Sequence, residues 1–387
     1  MSAVRILADD LTGALDTAGC FANSGSALPV VFDAAHLPES ESFAVSTGSR
    51  DIAESEVAER MERFLSVFDA HDSIAFKKID SLLRGHIAAE IAHIVRRSDF
   101  HSVVIAAAFP ALDRITRNGR QWARLAGDDR QRMVGPDLRS DFARFGIDLR
   151  LGLPDAAQAG SPQVFIADAQ TDGDLNAIVD SCRQAGRLLW CGSAGLADSL
   201  VGARRDPVGL TAKRILVICG TRHPVASLQL ERLAAKDRSG VLSIQPGYDA
   251  EKVIEFVNDR LRAGTWTALS VDFPQMHPEE ARASFASLAK KILPKLDRPD
   301  ALLVMGGDTL QLCCDVLGTR ELTVRGLLVT GVPVSEFHDG DWKGLTVVSK
   351  SGAFGSAETL CDVLAMADVG TDAPSPLARP KQKVSNL

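Results

Sequence analysis

The chain has 387 residues, 45% of them hydrophobic and 24% charged, with a formal net charge of −7. That profile fits a soluble globular protein of two or three domains. Aromatic residues make up only 5%, with one Tyr and no extended basic block, which excludes a nucleic-acid platform built from a basic groove and stacking rings. No apolar stretch reaches the roughly 20 residues of a membrane span, and Met1 leads straight into a predicted strand with no signal peptide ahead of it. The seven cysteines are scattered and form no C-x-x-C pair, as expected of reduced, buried thiols. A cytoplasmic enzyme is the expectation.

The first predicted strand, Val4–Ala8, ends in Asp9-Asp10-Leu11-Thr12-Gly13, and a helix follows over 14–23. One acid suffices to cap that helix; the second points to a bound polyol or metal. Strands are predicted over 28–32 and Phe43–Ser46, the latter ending in Thr47-Gly48-Ser49-Arg50. Arg50 is either a surface residue or a bidentate carboxylate grip. Residues 54–70 form an amphipathic helix with Val57, Met61, Phe64, Leu65 and Phe68 on one face. The strand at 73–76 then runs into Lys77-Lys78-Ile79-Asp80-Ser81-Leu82-Leu83-Arg84-Gly85, and the next helix carries Ile87, Ile91, Ile94 and Val95 on one side. This polar cluster falls where a strand ends and a helix begins, the edge at which open α/β sheets bind ligands.

After a strand at 102–108, residues 114–135 read as a long polar excursion carrying Arg114, Thr116, Arg117, Asn118 and Gly119. Two more strands, 164–167 and 187–191, flank a helix at 174–184, and the second ends in Gly192-Ser193-Ala194-Gly195. Residues 203–213 are polar, hold Pro and Gly, and lack periodicity, which marks a linker. Domains are therefore expected over 1–205 and 206–368, with a disordered tail over 369–387. The second half restarts the β-α alternation, with strands at Ile215–Cys219, Val241–Ile244, 266–271, Ala301–Met305, 327–330 and 345–349. The fold class is α/β: two domains with mainly parallel sheets flanked by helices, and an active site in the interdomain cleft.

Three turns of the second half share one design. Gly220-Thr221, Gly306-Gly307-Asp308-Thr309 and Lys350-Ser351-Gly352 each follow an apolar strand and precede a helix. Glycines let backbone N–H groups face an anion, helix N-termini add a favourable dipole, and hydroxyls add donors. Glycines also simply make tight turns, but three such turns together suggest a nucleotide phosphate site in which Lys350 offsets charge. No G-x-x-x-x-G-K-[ST] segment is present, and no G-x-G-x-x-G follows the first strand. The first half instead places Asp9, Asp10, Arg50, Lys78, Asp80, Ser81 and Arg84 at strand ends, a set suited to a small hydroxylated anion. A carboxylate there can take the proton of an attacking alcohol. Joined, the halves suit phosphoryl transfer by alignment and charge neutralisation, with Mg²⁺ arriving on the nucleotide.

Five ordered segments resemble the four-carbon acid sugar kinase family: Ile6-Leu7-Ala8-Asp9-Asp10-Leu11-Thr12-Gly13-Ala14, the Lys77 to Gly85 motif, Gly192-Ser193-Ala194-Gly195-Leu196-Ala197, Gly306-Gly307-Asp308-Thr309, and Lys350-Ser351-Gly352-Ala353-Phe354-Gly355. The likeness runs from Ile6 to about Ala365. It implies an ATP-dependent kinase acting on sugar acids such as threonate, erythronate or their 3-oxo forms, with the acid bound by the first domain and ATP by the second. Carried over by motif, Asp9, Asp10, Arg50, Lys78, Ile79, Asp80, Ser81 and Arg84 face the acid. Thr221, Gly306, Gly307, Asp308, Thr309 and Gly352 face ATP, and Lys350 joins them on its chemistry. Lys78, Asp80 and Asp10 are the catalytic candidates, with the base left between Asp80 and Asp10. The partners expected are a sugar acid and ATP, with no nucleic acid and no membrane; a homodimer is compatible. The competing readings are a lyase using Lys78 as a Schiff-base nucleophile and a two-domain sugar-acid sensor that does not consume ATP.

Overall fold

The computed structural model describes residues 2–369, apart from 23–25, 125–129, 155–161, 184, 203–205, 246, 272 and 274–275. The expected tail beyond 369 and the first residues of the expected linker lie outside the described residues. The first half runs β1 (Val4–Ala8), α1 (Leu11–Phe21), β2 (Leu28–Val31), β3 (Phe43–Ser46), α2 (Glu54–Glu62), β4 (Ile74–Lys78), α3 (Ile87–Arg97) and β5 (Ser102–Ala106). It continues through β6 (Arg114–Arg117), β7 (Arg120–Arg124), β8 (Gln131–Val134), α4 (Leu138–Arg144), β9 (Leu149–Leu151), β10 (Gln163–Ile166), α5 (Asp172–Ser181), β11 (Leu188–Gly192) and α6 (Ala194–Val201). The second half runs β12 (Ile215–Cys219), α7 (Pro224–Lys236), β13 (Val241–Ile244), α8 (Ala250–Arg262), β14 (Thr267–Val271) and α9 (Pro278–Ile292). It closes with β15 (Ala301–Met305), α10 (Gly307–Leu317), β16 (Glu321–Val329), β17 (Val332–Phe337), β18 (Thr346–Lys350) and α11 (Thr359–Val369).

Both halves contribute to one mostly parallel, mixed sheet of 15 strands in the order β13-β14-β12-β15-β18-β17-β16-β2-β3-β1-β4-β11-β5-β10-β9. Strands such as β12 and β15 are buried at every position, as parallel strands covered on both faces must be. Full burial of each Ile, Leu or Val there contributes about 1.5–3 kcal/mol. The parallel blocks of the two halves are joined through three antiparallel pairings, β18 with β17, β17 with β16, and β16 with β2.

Two regions differ from the sequence reading. Of the strand expected over 327–330, residues 327–329 are the end of β16, the long first arm of a hairpin whose register shifts between Val324 and Gly326, and Thr330 starts the turn. Arg325-Gly326 looks like a strand break in sequence but is a bulge inside one. Residues 114–135 fold into a separate antiparallel sheet, β6-β7-β8, although 125–129 lie outside the described residues. Its strands are four or five residues long and Arg-rich on the exposed side, so they lack the apolar runs that reveal the main strands. Bridges from Phe109 to Arg114 and from Thr116 to Ala169 tie this small sheet to the ends of β5 and β10.

Register brings the strand ends into line. Ala8 lies opposite Ser46 and Lys78, and Gly192 lies opposite Lys78 and Ala106. In the second half Cys219 lies opposite Met305, which in turn lies opposite Lys350. Helix α1 packs on β16, β17, α6 and α10 as well as on its own strands. Close approach is possible because residue 19 is Gly: a Cβ there would lie 2.4 Å from Leu327 Cδ2.

Candidate active site

β1 delivers two carboxylates to the start of α1, and they do different things. Asp10 caps the helix, accepting from the Gly13 N–H at 2.8 Å and the Thr12 hydroxyl at 3.1 Å. Asp9 is buried and accepts from Arg50 Nε at 2.7 Å and Nη2 at 2.8 Å, while Arg50 Nη1 reaches Asp10 at 2.5 Å. Asp10 thus takes the capping use, while Asp9 is engaged by Arg50 in place of the polyol or metal expected of the second acid. Arg50 lines the cleft, but its fork is occupied by protein carboxylates. Burial alone would raise the Asp9 carboxyl; the charges of Arg50, Lys77 and Lys78 outweigh it and hold Asp9 below the usual range. For Asp10 burial prevails over Arg50, and neighbouring Asp9 adds to it, so this carboxyl is raised.

Strand alternation sends Lys77 and Lys78 to opposite faces. Lys77 points into the core, where its ammonium meets Glu90 at 2.8 Å with both side chains essentially shielded from water (0% and 1% exposed). Ser49 bonds the same Glu90 and lies 2.7 Å from the Thr47 hydroxyl. Lys78 turns toward α1 and donates to the Ile79 carbonyl at 2.9 Å. Ile79 enters the site only through that carbonyl: its side chain is fully buried in the apolar core, so the expectation that it faces the acid is corrected by the same alternation.

The turn after β4 is built by Asp80. Its carboxylate accepts from the backbone N–H of Leu82 at 3.0 Å and of Arg84 at 3.3 Å, and from Arg84 Nε and Nη2 at 3.0 and 2.8 Å. Burial opposes ionisation, but the Arg84 bonds and the charges of Arg50 and Lys78 outweigh it and hold Asp80 far below the carboxylate range. Leu83 is buried at φ 61°, an unfavourable conformation for a bulky residue. The Asp80 bonds hold the turn in that shape. Ser81 accepts from Arg114 through its hydroxyl and from Gln121 Nε2 through its carbonyl at 2.8 Å. Ser193 donates to the Ala108 carbonyl at 2.6 Å.

The glycine turns of the second half converge on this assembly. Gly306, at φ 107°, caps α10. A Cβ at Gly352 would lie 2.6 Å from the Thr221 hydroxyl, and one at Gly220 would lie 2.6 Å from that of Thr309. A Cβ at Gly307 would come within 2.5 Å of the Thr12 hydroxyl and 3.5 Å of an Asp10 oxygen. The first turns of α10 and α1 thus abut across the two halves, so closely that residue 307 has no room for a side chain. Lys350 is 1% exposed and donates to the Ser351 carbonyl at 3.0 Å; burial pulls its ammonium down to about 8. Asp308 departs from the expected arrangement: its exposed carboxylate pairs with Arg282 at 2.8 Å.

The cleft between the halves is lined by Asp10, Thr12, Gly13, Lys78, Asp80, Ser81, Arg84, Phe109, Arg114 and Ser193 on one side, and by Gly331, Pro333, Ser351, Ala353 and Phe354 on the other. Asp16 also lines it, one turn into α1, and its Oδ1 has no hydrogen-bond partner among the described residues. Arg114 and Asp16 were missed as site residues, one hidden in the polar excursion and the other inside a helix. His223 caps α7, accepting from the Val225 N–H at 3.3 Å; burial and the nearby charges of Arg84, Lys350 and Arg114 lower its pKa. Its position just after Gly220-Thr221 was the available signal. Among the described residues no group of three or more His, Cys, Asp or Glu gathers to hold a metal, and no helix is long and apolar enough to cross a membrane. All seven cysteines are buried thiols.

The fold and cleft define a two-part α/β protein whose halves face each other across a polar cleft. Residues 4–145 match the model of a sugar-binding N-terminal domain, and residues 216–360 match that of a nucleotide-binding C-terminal domain. The chain belongs to the four-carbon acid sugar kinase family. It is 25% identical to a D-threonate kinase of Salmonella typhimurium, over 93% of this chain and 97% of the relative. It is 28% identical to a D-threonate kinase of Cupriavidus necator, over 92% and 95%, and 23% identical to a D-erythronate kinase of Heliobacterium modesticaldum, over 93% and 96%. A solved Haemophilus influenzae protein of family DUF1537 shares the fold, with a TM-score of 0.62 at 18% identity over 94% of this chain and 98% of that one.

Proposed function

We propose that this protein is an ATP-dependent kinase that phosphorylates a hydroxyl of a four-carbon sugar acid. The observation that carries the reading is the junction of α1 and α10, where the acid-bearing turn of one half meets the bare glycine turn of the other. The family and the names of the relatives agree with it. The first half, through residue 205, holds the acid. The second half, from 206 to 368, holds ATP, with Gly306, Gly307, Thr309, Thr221 and Gly352 around the phosphates and Lys350 neutralising them. Magnesium carried by the nucleotide supplies further charge neutralisation when bound; among the described residues no carboxylate cage gathers to hold it.

Asp10 is the better base. It borders the phosphate turn, and its carboxyl is raised toward the range in which a proton can be accepted and released. Asp80 has its oxygens engaged by four donors and is held ionised, so it shapes the turn that presents Ser81. Lys78 lies beside the start of α1, 3.1 Å from where a Cβ on Gly13 would stand. There it steadies charge on the transferring phosphoryl group, together with the helix N-terminus.

An ADP-release screen over four- to six-carbon sugar acids tests the reading. ATP turnover is expected with at least one four-carbon acid. Asp10→Asn is expected to lower kcat by about 10²–10⁴-fold with the KM for ATP little changed. Absence of turnover with every acid sinks the proposal, and a fully active Asp10→Asn variant removes the base assignment.

A further inference from the structure

Three guanidinium groups face the cleft, and their charges are balanced differently. Arg50 is bound by Asp9 and Asp10, and Arg84 by Asp80. Arg114 forms no ion pair with any described residue; its contact is one N–H donated to the Ser81 hydroxyl. The other donors of its planar fork are left for a ligand. A cation partly withdrawn from water without an ion pair is costly; Asp80 and Asp16 offset part of that cost from a distance, and an anionic ligand held by the fork relieves the rest.

The backbone around Arg114 is fixed. The chain leaves β5, makes a short 3₁₀ turn at Pro110–Leu112, and reverses at Asp113 with φ 53°. Phe109 and Arg114 then exchange two backbone hydrogen bonds, at 2.8 and 3.2 Å. Two residues further on, Thr116 exchanges two with Ala169, at 2.8 and 3.1 Å. Gln121 braces the same region, donating to the carbonyls of Ser81 and Ala107 while accepting from Thr116. Arg114 is thus held by the small sheet in a set position over the Ser81 turn. Lys78, the other cleft cation without an ion pair among the described residues, lies instead beside Gly13 at the phosphate end.

We propose that Arg114 is a specificity-determining residue that grips the carboxylate of the sugar acid, with Ser81 orienting its fork. This rests on the kinase reading and deepens it: the small sheet, rather than Arg50 or Arg84, tells a sugar acid from an uncharged sugar.

The test compares wild type with Arg114→Ala and Arg114→Lys, using D-threonate and D-erythronate as probes in steady-state kinetics and in calorimetric titration without ATP. For Arg114→Ala the acid KM and the acid dissociation constant are expected to rise about 100-fold. The KM for ATP should stay within twofold and kcat within a few-fold. Arg114→Lys keeps the charge but not the fork, so it is expected to fall between; if the alanine variant does not fold, the lysine variant alone must show at least a tenfold rise in acid KM. An acid KM within threefold of wild type, or a rise confined to ATP, overturns the assignment while leaving the kinase reading intact. A wild-type protein that neither binds nor phosphorylates any acid of the four- to six-carbon screen overturns both.

Discussion

Lys350 gives the sharpest quantitative handle on the proposed nucleotide site. Burial pulls its ammonium from the ordinary 10.5 to about 8, and among the described residues no carboxylate pairs with it. The folded-state pKa is lower than the unfolded one, so keeping the charge costs stability. That cost is full below pH 8 and vanishes as pH rises toward 10.5. The gap of roughly two and a half units corresponds to about 3 kcal/mol at pH 7. A triphosphate laid against Lys350 supplies the missing counter-charge and returns its pKa to the ordinary range. At pH 8 the free protein holds about half a proton on this group and the complex about one, so binding takes up about 0.5 proton; at pH 7 the uptake falls to about 0.1. Calorimetric titration of ATP in two buffers of different ionisation enthalpy reads this number directly. Lys350→Met is expected to abolish the uptake and weaken ATP binding, yet to raise stability by about 3 kcal/mol at pH 7 in denaturant unfolding. No uptake by wild type at pH 8, or the same uptake in the methionine variant, refutes the reasoning.

Two further outcomes follow from buried charge. Burial lifts the Asp16 carboxyl from 3.8 to about 6; with the folded pKa above the unfolded one, its cost is absent below pH 3.8 and complete above pH 6. Asp16→Asn should therefore stabilise the protein by up to about 3 kcal/mol at pH 7.5 and by about half that at pH 5, and a gain equal at both values rules out this origin. Glu90→Gln strands the Lys77 ammonium in the core and should cost about 3–5 kcal/mol, read as a lower unfolding midpoint. Lys77→Met combined with Glu90→Leu should recover most of it.

The strands that were plain in the sequence are those whose environment is uniform. Ile215–Cys219 and Ala301–Met305 are apolar at nearly every position because helices cover both faces. The polar strand ends that line the cleft were legible for a related reason, since polar residues interrupt an apolar run only where the chain leaves the core. What could not be read is which polar side chains consume one another. Arg50 meets Asp9 across 41 positions and Ser49 meets Glu90 across another 41, and only the register of β1, β3 and β4 makes those encounters happen. The same limit misplaced Ile79, whose face depends on where β4 begins, and Asp308, whose partner Arg282 comes from α9. Arg114 was hidden because β6 takes its order from backbone bridges to Phe109 and Ala169 rather than from an apolar pattern.

The antiparallel pairing of β2 with β16 also bears on how the molecule is made. Val31 pairs with Glu321, so a ribosome must add about 290 residues between the two. At roughly 5–20 residues per second, β2 waits about 15–60 s with the N–H and C=O groups of Leu28–Val31 exposed on an open flank. Such a flank recruits other chains. The first half expressed alone would keep it indefinitely, so division at the expected linker should yield an N-terminal fragment prone to associate, with the complementary fragment as its natural cap.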